Sequence, residues 1–196
     1  MCSSDLEAEL VNGQRILGES LIYDAITRSH SRIRRVRLLP ERPTPLPRAL
    51  EAIARADMII LGPGSLYTSV IPNLLVDGIP QALAAARAKK VMVMNIMTEQ
   101  GETEEYTGLD HVQEMLRYAP GGVDCVLANC SPIPDTYLPA YKQENAAPLV
   151  LCRKEIEALG IPVYEKELLA PTGQYVRHDP EALAVALMQL LQEDWR

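Results

Sequence analysis

The chain has 196 residues and 21.7 kDa, enough for one substantial core, and 47% of it is hydrophobic, as in ordinary globular domains. A formal net charge of −7 and a pI near 5.0 argue against a nucleic-acid partner, and no apolar run approaches the roughly 18 residues of a membrane span, so a cytoplasmic protein is expected. Four cysteines without C-x-x-C spacing and three histidines build no zinc set, so buried reduced thiols and no metal site are expected.

Met1 to Leu6 look foreign to the rest of the chain. Their codons can be written to match the end of a common sequencing adapter, so the hexapeptide is read as an adapter remnant, with an N-terminal part missing before it. Residues 7–196 are then the C-terminal part of a single domain. Glu9 to Ile16 reads as a hairpin, because Asn12-Gly13 supplies the positive φ angles of a tight turn. Ser20 to Ser31 is ambiguous. Ile33 to Leu39 is a short strand carrying Arg32, Arg34, Arg35 and Arg37, which suits either a solvated edge or contact with an anionic group. Pro40 ends it.

Pro43, Pro45 and Pro47 form a rigid connector, with Pro47 at the first position of a helix. Leu46, Leu50, Ile53 and Ala54 give that helix an apolar stripe able to pack on a sheet. A buried strand, 57–61, runs straight into Gly62-Pro63-Gly64-Ser65-Leu66-Tyr67-Thr68-Ser69. A helix from about Pro80 to Lys89, a strand 90–97, a polar loop, a helix 108–118 and a strand 123–128 come next. The alternation continues more weakly with helices near 136–142 and 153–159, short strands near Leu149 and at 161–164, and a C-terminal helix opened by Asp179-Pro180. Buried strands alternating with amphipathic helices predict an α/β fold: a Rossmann-like open sheet, mostly parallel, with helices on both faces.

In such a sheet the ligand crevice lies beyond the carboxyl ends of the strands. Three consecutive strands end in polar groups: Gly62 to Ser69 with Asn73; Asn95, Thr98, Gly101, Glu102 and Thr103; and Asn129 with Ser131. Their convergence predicts one groove. The glycine loop lacks the Gly-Lys-Ser/Thr of a Walker motif and the third glycine of a dinucleotide fingerprint, since Tyr67 stands there. It reads either as a tight strand-to-helix turn or as a cradle whose N–H groups and Ser65, Thr68 and Ser69 hydroxyls bind phosphate. Tyr67 is open between stacking on a ligand and plugging the core. Glu102 suits sugar hydroxyls or a metal. Thr107 with Asp110 fits a capping box, His111 fits a packed histidine, and Arg177 suits an anion. No nucleophile with a recognisable base stands out, so the catalytic residues are unknown.

Gly62 to Ser69 with Ile71 to Val76, Asn95-Ile96-Met97-Thr98, Gly101-Glu102-Thr103, Asp110-His111-Val112 and Arg177 to Pro180 resemble the YvcK-type branch of the YvcK/CofD family. The likeness extends from Ala8 to the C-terminus and includes Gly18-Glu19-Ser20. It implies a Rossmann-like fold and a bacterial gluconeogenesis factor, associated with cell shape and wall synthesis, that binds a nucleotide sugar of the UDP-N-acetylglucosamine type or a NAD-type dinucleotide. Carried over, Gly62, Pro63, Gly64, Ser65, Leu66, Tyr67, Thr68, Ser69 and Asn73 line the ligand groove, with Asn95, Thr98, Gly101, Glu102 and Thr103 opposite. Tyr141 and Arg177 are the expected contacts from the C-terminal part. A regulatory protein is favoured, and a homo-oligomer is compatible with it. The alternative is a CofD-like, magnesium-dependent 2-phospho-L-lactate transferase. The family's own N-terminal glycine-rich segment is absent from this sequence.

Overall fold

The structure, a computed structural model, describes residues 5–193. Met1 to Ser4 of the expected adapter remnant lie outside the described residues, whereas Asp5 and Leu6 open the first strand, with Leu6 buried. Strand β1 (Asp5–Leu10) pairs antiparallel with β2 (Arg15–Leu17) across the Asn12–Gly13 turn. The ambiguous segment is a helix, α1 (Glu19–Ser29), whose Ile22 and Ile26, four residues apart, are its buried positions. Strand β3 (Ile33–Leu39) pairs with the other side of β1, giving the order β2-β1-β3.

The arginines of this edge are satisfied within the chain. Arg37 stands opposite Glu7 and Arg35 opposite Glu9, and each donates to its partner at 2.7 Å. Arg34 also reaches Glu9, and Arg32 pairs with Glu105. Cross-strand charge pairs of this kind hold register, so the solvated-edge reading describes β3.

Helix α2 (Pro47–Arg55) starts at Pro47 as expected. Its stripe is only partly covered: no residue of the helix is buried and Leu46 is 76% exposed, while Ile53 packs half-buried against the core and α4 lies alongside. The parallel unit continues as β4 (Met58–Leu61), α3 (Ile71–Leu74), α4 (Ile79–Ala85), β5 (Lys89–Val93), α5 (Gly108–Tyr118), β6 (Cys125–Asn129), α6 (Leu138–Gln143), α7 (Arg153–Glu157) and β7 (Val163–Lys166). Its four strands are all parallel, in the order β4-β5-β6-β7. Alternation along each strand separates two layers of core. Met92, Val126 and Ala128 share a cluster with Val112 and Met115 of α5, while Val91, Cys125 and Leu127 share another with Ala186 and Leu190 of α8 (Pro180–Gln192). Helices therefore cover both faces, as the alternation in sequence required.

Two expectations need correction. The strand 90–97 stops at Val93, because Asn95 turns aside to bond the glycine loop, and beyond it only Met97 regains strand contact, as a single bridge to Pro148. That bridge replaces the strand expected near Leu149. The structure adds a hairpin, β8 (Leu169–Thr172) with β9 (Tyr175–His178), that the apolar pattern does not predict; the turn signal at Gly173 between Tyr175-Val176 and Leu169-Ala170 is the trace it leaves in the sequence. The described cysteines are free, but only Cys125 is buried, and burial pushes its thiol up to about 12; Cys130 is exposed. Among the described residues no helix is long and apolar enough to cross a membrane.

The start of α5 is set by close approach of two backbones. Gly108 donates its N–H to Val150 at 2.8 Å, and a Cβ at Gly108 would lie 2.4 Å from the Leu151 carbonyl oxygen. Gly108→Ala is expected to destabilise the fold by about 1–3 kcal/mol through this overlap. Urea denaturation measures it, and an unchanged midpoint would show that the 148–151 segment yields freely.

Candidate functional site

Strand β4 ends at a glycine that the geometry requires. Gly62 has φ 79°, and a Cβ there would sit 3.1 Å from the Val93 carbonyl oxygen, so the loop turns directly over the end of β5. Asn95 then clamps it: its Oδ1 accepts from Gly64 N–H at 3.2 Å and its Nδ2 donates to Gly64 O at 3.1 Å. Leu66 to Val70 wind as a π-helical turn that runs into α3. Asn73 donates to Ser69 O at 2.7 Å and steadies that turn from its far end.

The donors of the turn are engaged by carboxylates of the next loop. Glu102 accepts from Tyr67 N–H at 2.9 Å and from Thr68 Oγ at 2.5 Å, and Glu99 accepts from Ser65 Oγ at 2.8 Å. A carboxylate at the open N–H of a helical turn satisfies a donor and lies at the positive end of the peptide dipoles. Of the hydroxyls that the phosphate-cradle reading assigned to a ligand, those of Ser65 and Thr68 are thus bound to protein. Burial pushes the Glu102 carboxyl above its usual range, an effect that the Thr68 and Tyr67 hydrogen bonds oppose.

These loops open on a cavity of about 1040 Å³. Pro63, Gly64, Ser65, Thr68, Asn95, Thr98, Glu102, Tyr141 and Arg177 line it, so one wall is the glycine loop, one the loop after β5 and one the β9 hairpin. Seven other candidates do not. Leu66, Tyr67 and Thr103 are buried; the Tyr67 hydroxyl meets that of Tyr106 at 2.8 Å, which makes Tyr67 a core plug. Gly101 packs on Tyr23, Gly62 lies behind the loop beside a small cavity, and Ser69 and Asn73 belong to the turn's own bonding. Asn129 and Ser131 border a separate cavity of about 270 Å³, where Asn129 serves structure by accepting from Leu168 N–H at 3.0 Å.

Sequence reasoning did not single out Tyr23 of α1, Glu99, Glu144, Tyr175 or His178 as cavity residues, and Glu19 and Ser20 appeared only within a motif. Residues before β3 reach the cavity because Tyr23 donates to Gln100 Oε1 at 2.8 Å and packs on Gly101. Tyr141 holds the hairpin, donating to Val176 O at 3.2 Å and accepting from Val176 N–H at 3.0 Å. The Arg177 guanidinium lies 5.4 Å from the Tyr175 ring centre and donates to Val176 O. It faces a lining that holds four carboxylates, from Glu19, Glu99, Glu102 and Glu144. Burial keeps His178 below the ordinary histidine range, hence neutral. Among the described residues no three His, Cys, Asp or Glu side chains group as a metal centre.

A parallel sheet with such a cavity at its strand ends defines a Rossmann-like protein of the α/β class. The chain belongs to the family of 2-phospho-L-lactate transferase CofD, whose family model matches residues 2–169. It is 40% identical over 189 residues to the gluconeogenesis factor of Bacillus subtilis, covering 96% of this chain and 58% of that protein. The gluconeogenesis factor of Halalkalibacterium halodurans is 38% identical over 185 residues, with 94% and 56% covered. A crystal structure of a upf0052 family member from Bacillus halodurans superposes with a TM-score of 0.89 at 38% identity, over 95% of this chain and 59% of that one. The chain thus spans less than two thirds of the length of these relatives.

Helix α5 carries the capping box expected of Thr107 and Asp110: Asp110 N–H donates to Thr107 Oγ at 3.2 Å, and Thr107 N–H donates to Asp110 Oδ2 at 2.7 Å. His111 is packed behind the glycine loop. Its Nδ1–H donates to Thr107 O at 2.9 Å, and its Nε2 has no partner. Burial holds its pKa below the ordinary value, so the stability it contributes is full above about pH 6.5 and is lost as pH falls through the lower native value. Between pH 7 and 5 the wild type is expected to lose stability more steeply than His111→Gln, by up to about 1.4 kcal/mol per pH unit. Denaturation at pH 7, 6 and 5 checks this; parallel curves for the two proteins refute it.

Proposed function

We propose that this chain is the ligand-binding part of a regulatory protein, a cytoplasmic gluconeogenesis factor that binds a nucleotide sugar of the UDP-N-acetylglucosamine type and links carbon supply to cell-wall synthesis and cell shape. The observation that carries this reading is the large cavity at the ends of β4 and β5, with one guanidinium, Arg177, among walls of hydroxyl, amide and carboxylate groups. Its volume suits a ligand of nucleotide-sugar size. A guanidinium matches the oxygens of a diphosphate, and carboxylate and amide oxygens match the hydroxyls of a sugar. The relatives named as gluconeogenesis factors support the gluconeogenesis part of the reading.

A NAD-type dinucleotide has the same diphosphate between hydroxyl-rich sugars and is the second ligand to try. The transferase reading rests on the family's description. Magnesium-dependent turnover of a nucleotide-activated phospholactate would favour it over a purely regulatory role.

Calorimetric titration with UDP-N-acetylglucosamine is expected to give saturable binding. Arg177→Ala should weaken it about tenfold or more, the worth of one charged hydrogen bond, with an unchanged melting temperature. No detectable binding at millimolar ligand would overturn the reading.

A further inference from the structure

Glu99 is the least satisfied charge in the cavity wall. Its Oε1 accepts from Ser65, whereas its Oε2 is shielded from solvent and has no hydrogen-bond partner. Glu102, three residues on, has both oxygens occupied by Tyr67 and Thr68. The Glu99 backbone is pinned, its N–H donating to Thr103 Oγ at 3.0 Å and its carbonyl accepting from Thr103 N–H at 3.0 Å. Only its side chain is left to rearrange. Among the described residues no ion pair is formed by Glu99, and its carboxylate acts on Glu102 as a like charge. A shielded carboxylate oxygen without a donor is a costly arrangement, and Glu99 lines the cavity, from which a donor can be supplied.

A phosphate cannot supply it. Ionised phosphate and carboxylate are both acceptors, and at contact they repel. A sugar hydroxyl or an amide N–H is a donor and makes a strong, charge-assisted bond to a carboxylate. We propose that Glu99 sets the orientation of the ligand, excluding anionic groups from the Gly64–Ser65 end of the cavity and taking a hydroxyl or amide N–H of the sugar there, so that the diphosphate lies at Arg177. The proposal rests on the nucleotide-sugar reading and assigns the end of the site that this reading leaves open. It reverses the usual use of a glycine loop at a strand end, in which the loop holds the phosphate.

The test is calorimetric titration of wild type, Glu99→Gln and Glu99→Asp with three probes: pyrophosphate, UDP and UDP-N-acetylglucosamine. In wild type the nucleotide sugar should bind more tightly than UDP. Glu99→Gln should reduce that ratio tenfold or more and should bind pyrophosphate at least tenfold more tightly than wild type. Glu99→Asp keeps the charge and should bind pyrophosphate no more tightly than wild type, while losing part of the sugar preference through its shorter reach. An unchanged ratio in Glu99→Gln, or a parallel loss for all three probes, which is what a merely structural role would give, overturns the proposal. Should wild type bind neither UDP nor its sugar conjugate, the nucleotide-sugar reading fails. The pyrophosphate arm then decides for Glu99: a gain in Glu99→Gln, but not in Glu99→Asp, upholds anion exclusion, and no gain overturns it.

Discussion

The hydrogen bonds from the glycine loop to Glu99 and Glu102 are the constraint on which the mouth of the cavity depends. A helical turn that begins at a strand end leaves N–H groups unpaired, and they must be met by ligand, water or side chain. Here Glu102 meets Tyr67 N–H and the Thr68 hydroxyl, and Glu99 meets Ser65. The loop is thereby built before any ligand arrives. Burial above all, and then the nearby Glu99 carboxylate, push the Glu102 carboxyl up. The arrangement orders the loop and at the same time makes it unwelcoming to another acceptor.

That arrangement brings three separate stretches of chain together. The β5 end supplies Asn95 and the Glu99–Glu102 loop, the β4 end supplies the glycine turn, and the hairpin after β7 supplies Arg177. Tyr141 and Glu144 hold the hairpin, the one through Val176 and the other by accepting from the Tyr175 hydroxyl at 2.6 Å. Helix α1 closes the remaining side through Tyr23. The helix between the second and third strands of the small antiparallel sheet is therefore part of the cavity's wall.

Much of the scaffold could be read from residue order, because buried strands and amphipathic helices impose periods of two and about 3.6 on the apolar residues. Helix α5 matched its expected bounds, Gly108 to Tyr118, since its capping box and apolar stripe agree with each other. Periodicity says nothing about what a stripe packs against, and α2, with its stripe left half-covered, shows the consequence. The site was legible as a location but not as a bonding pattern. Hydroxyls in a glycine loop advertise donors; which acceptor takes them depends on Glu99 and Glu102, 34 residues away from Ser65 and Thr68 in sequence. Tyr67 shows the same limit, for only its contact with Tyr106 decides between ligand stacking and core. Short hairpins such as β8–β9 carry too few residues for alternation to stand out.

The charge pattern of the cavity also bears on how fast a ligand arrives. Four glutamates and one arginine line the cavity of a chain that is itself acidic, so the local charge balance disfavours an incoming dianion. Under the nucleotide-sugar proposal, encounter with a nucleotide diphosphate would be slowed, the reverse of electrostatic steering. Added salt screens those charges, so ionic strength would raise the association rate of such a ligand where it lowers that of a steered one.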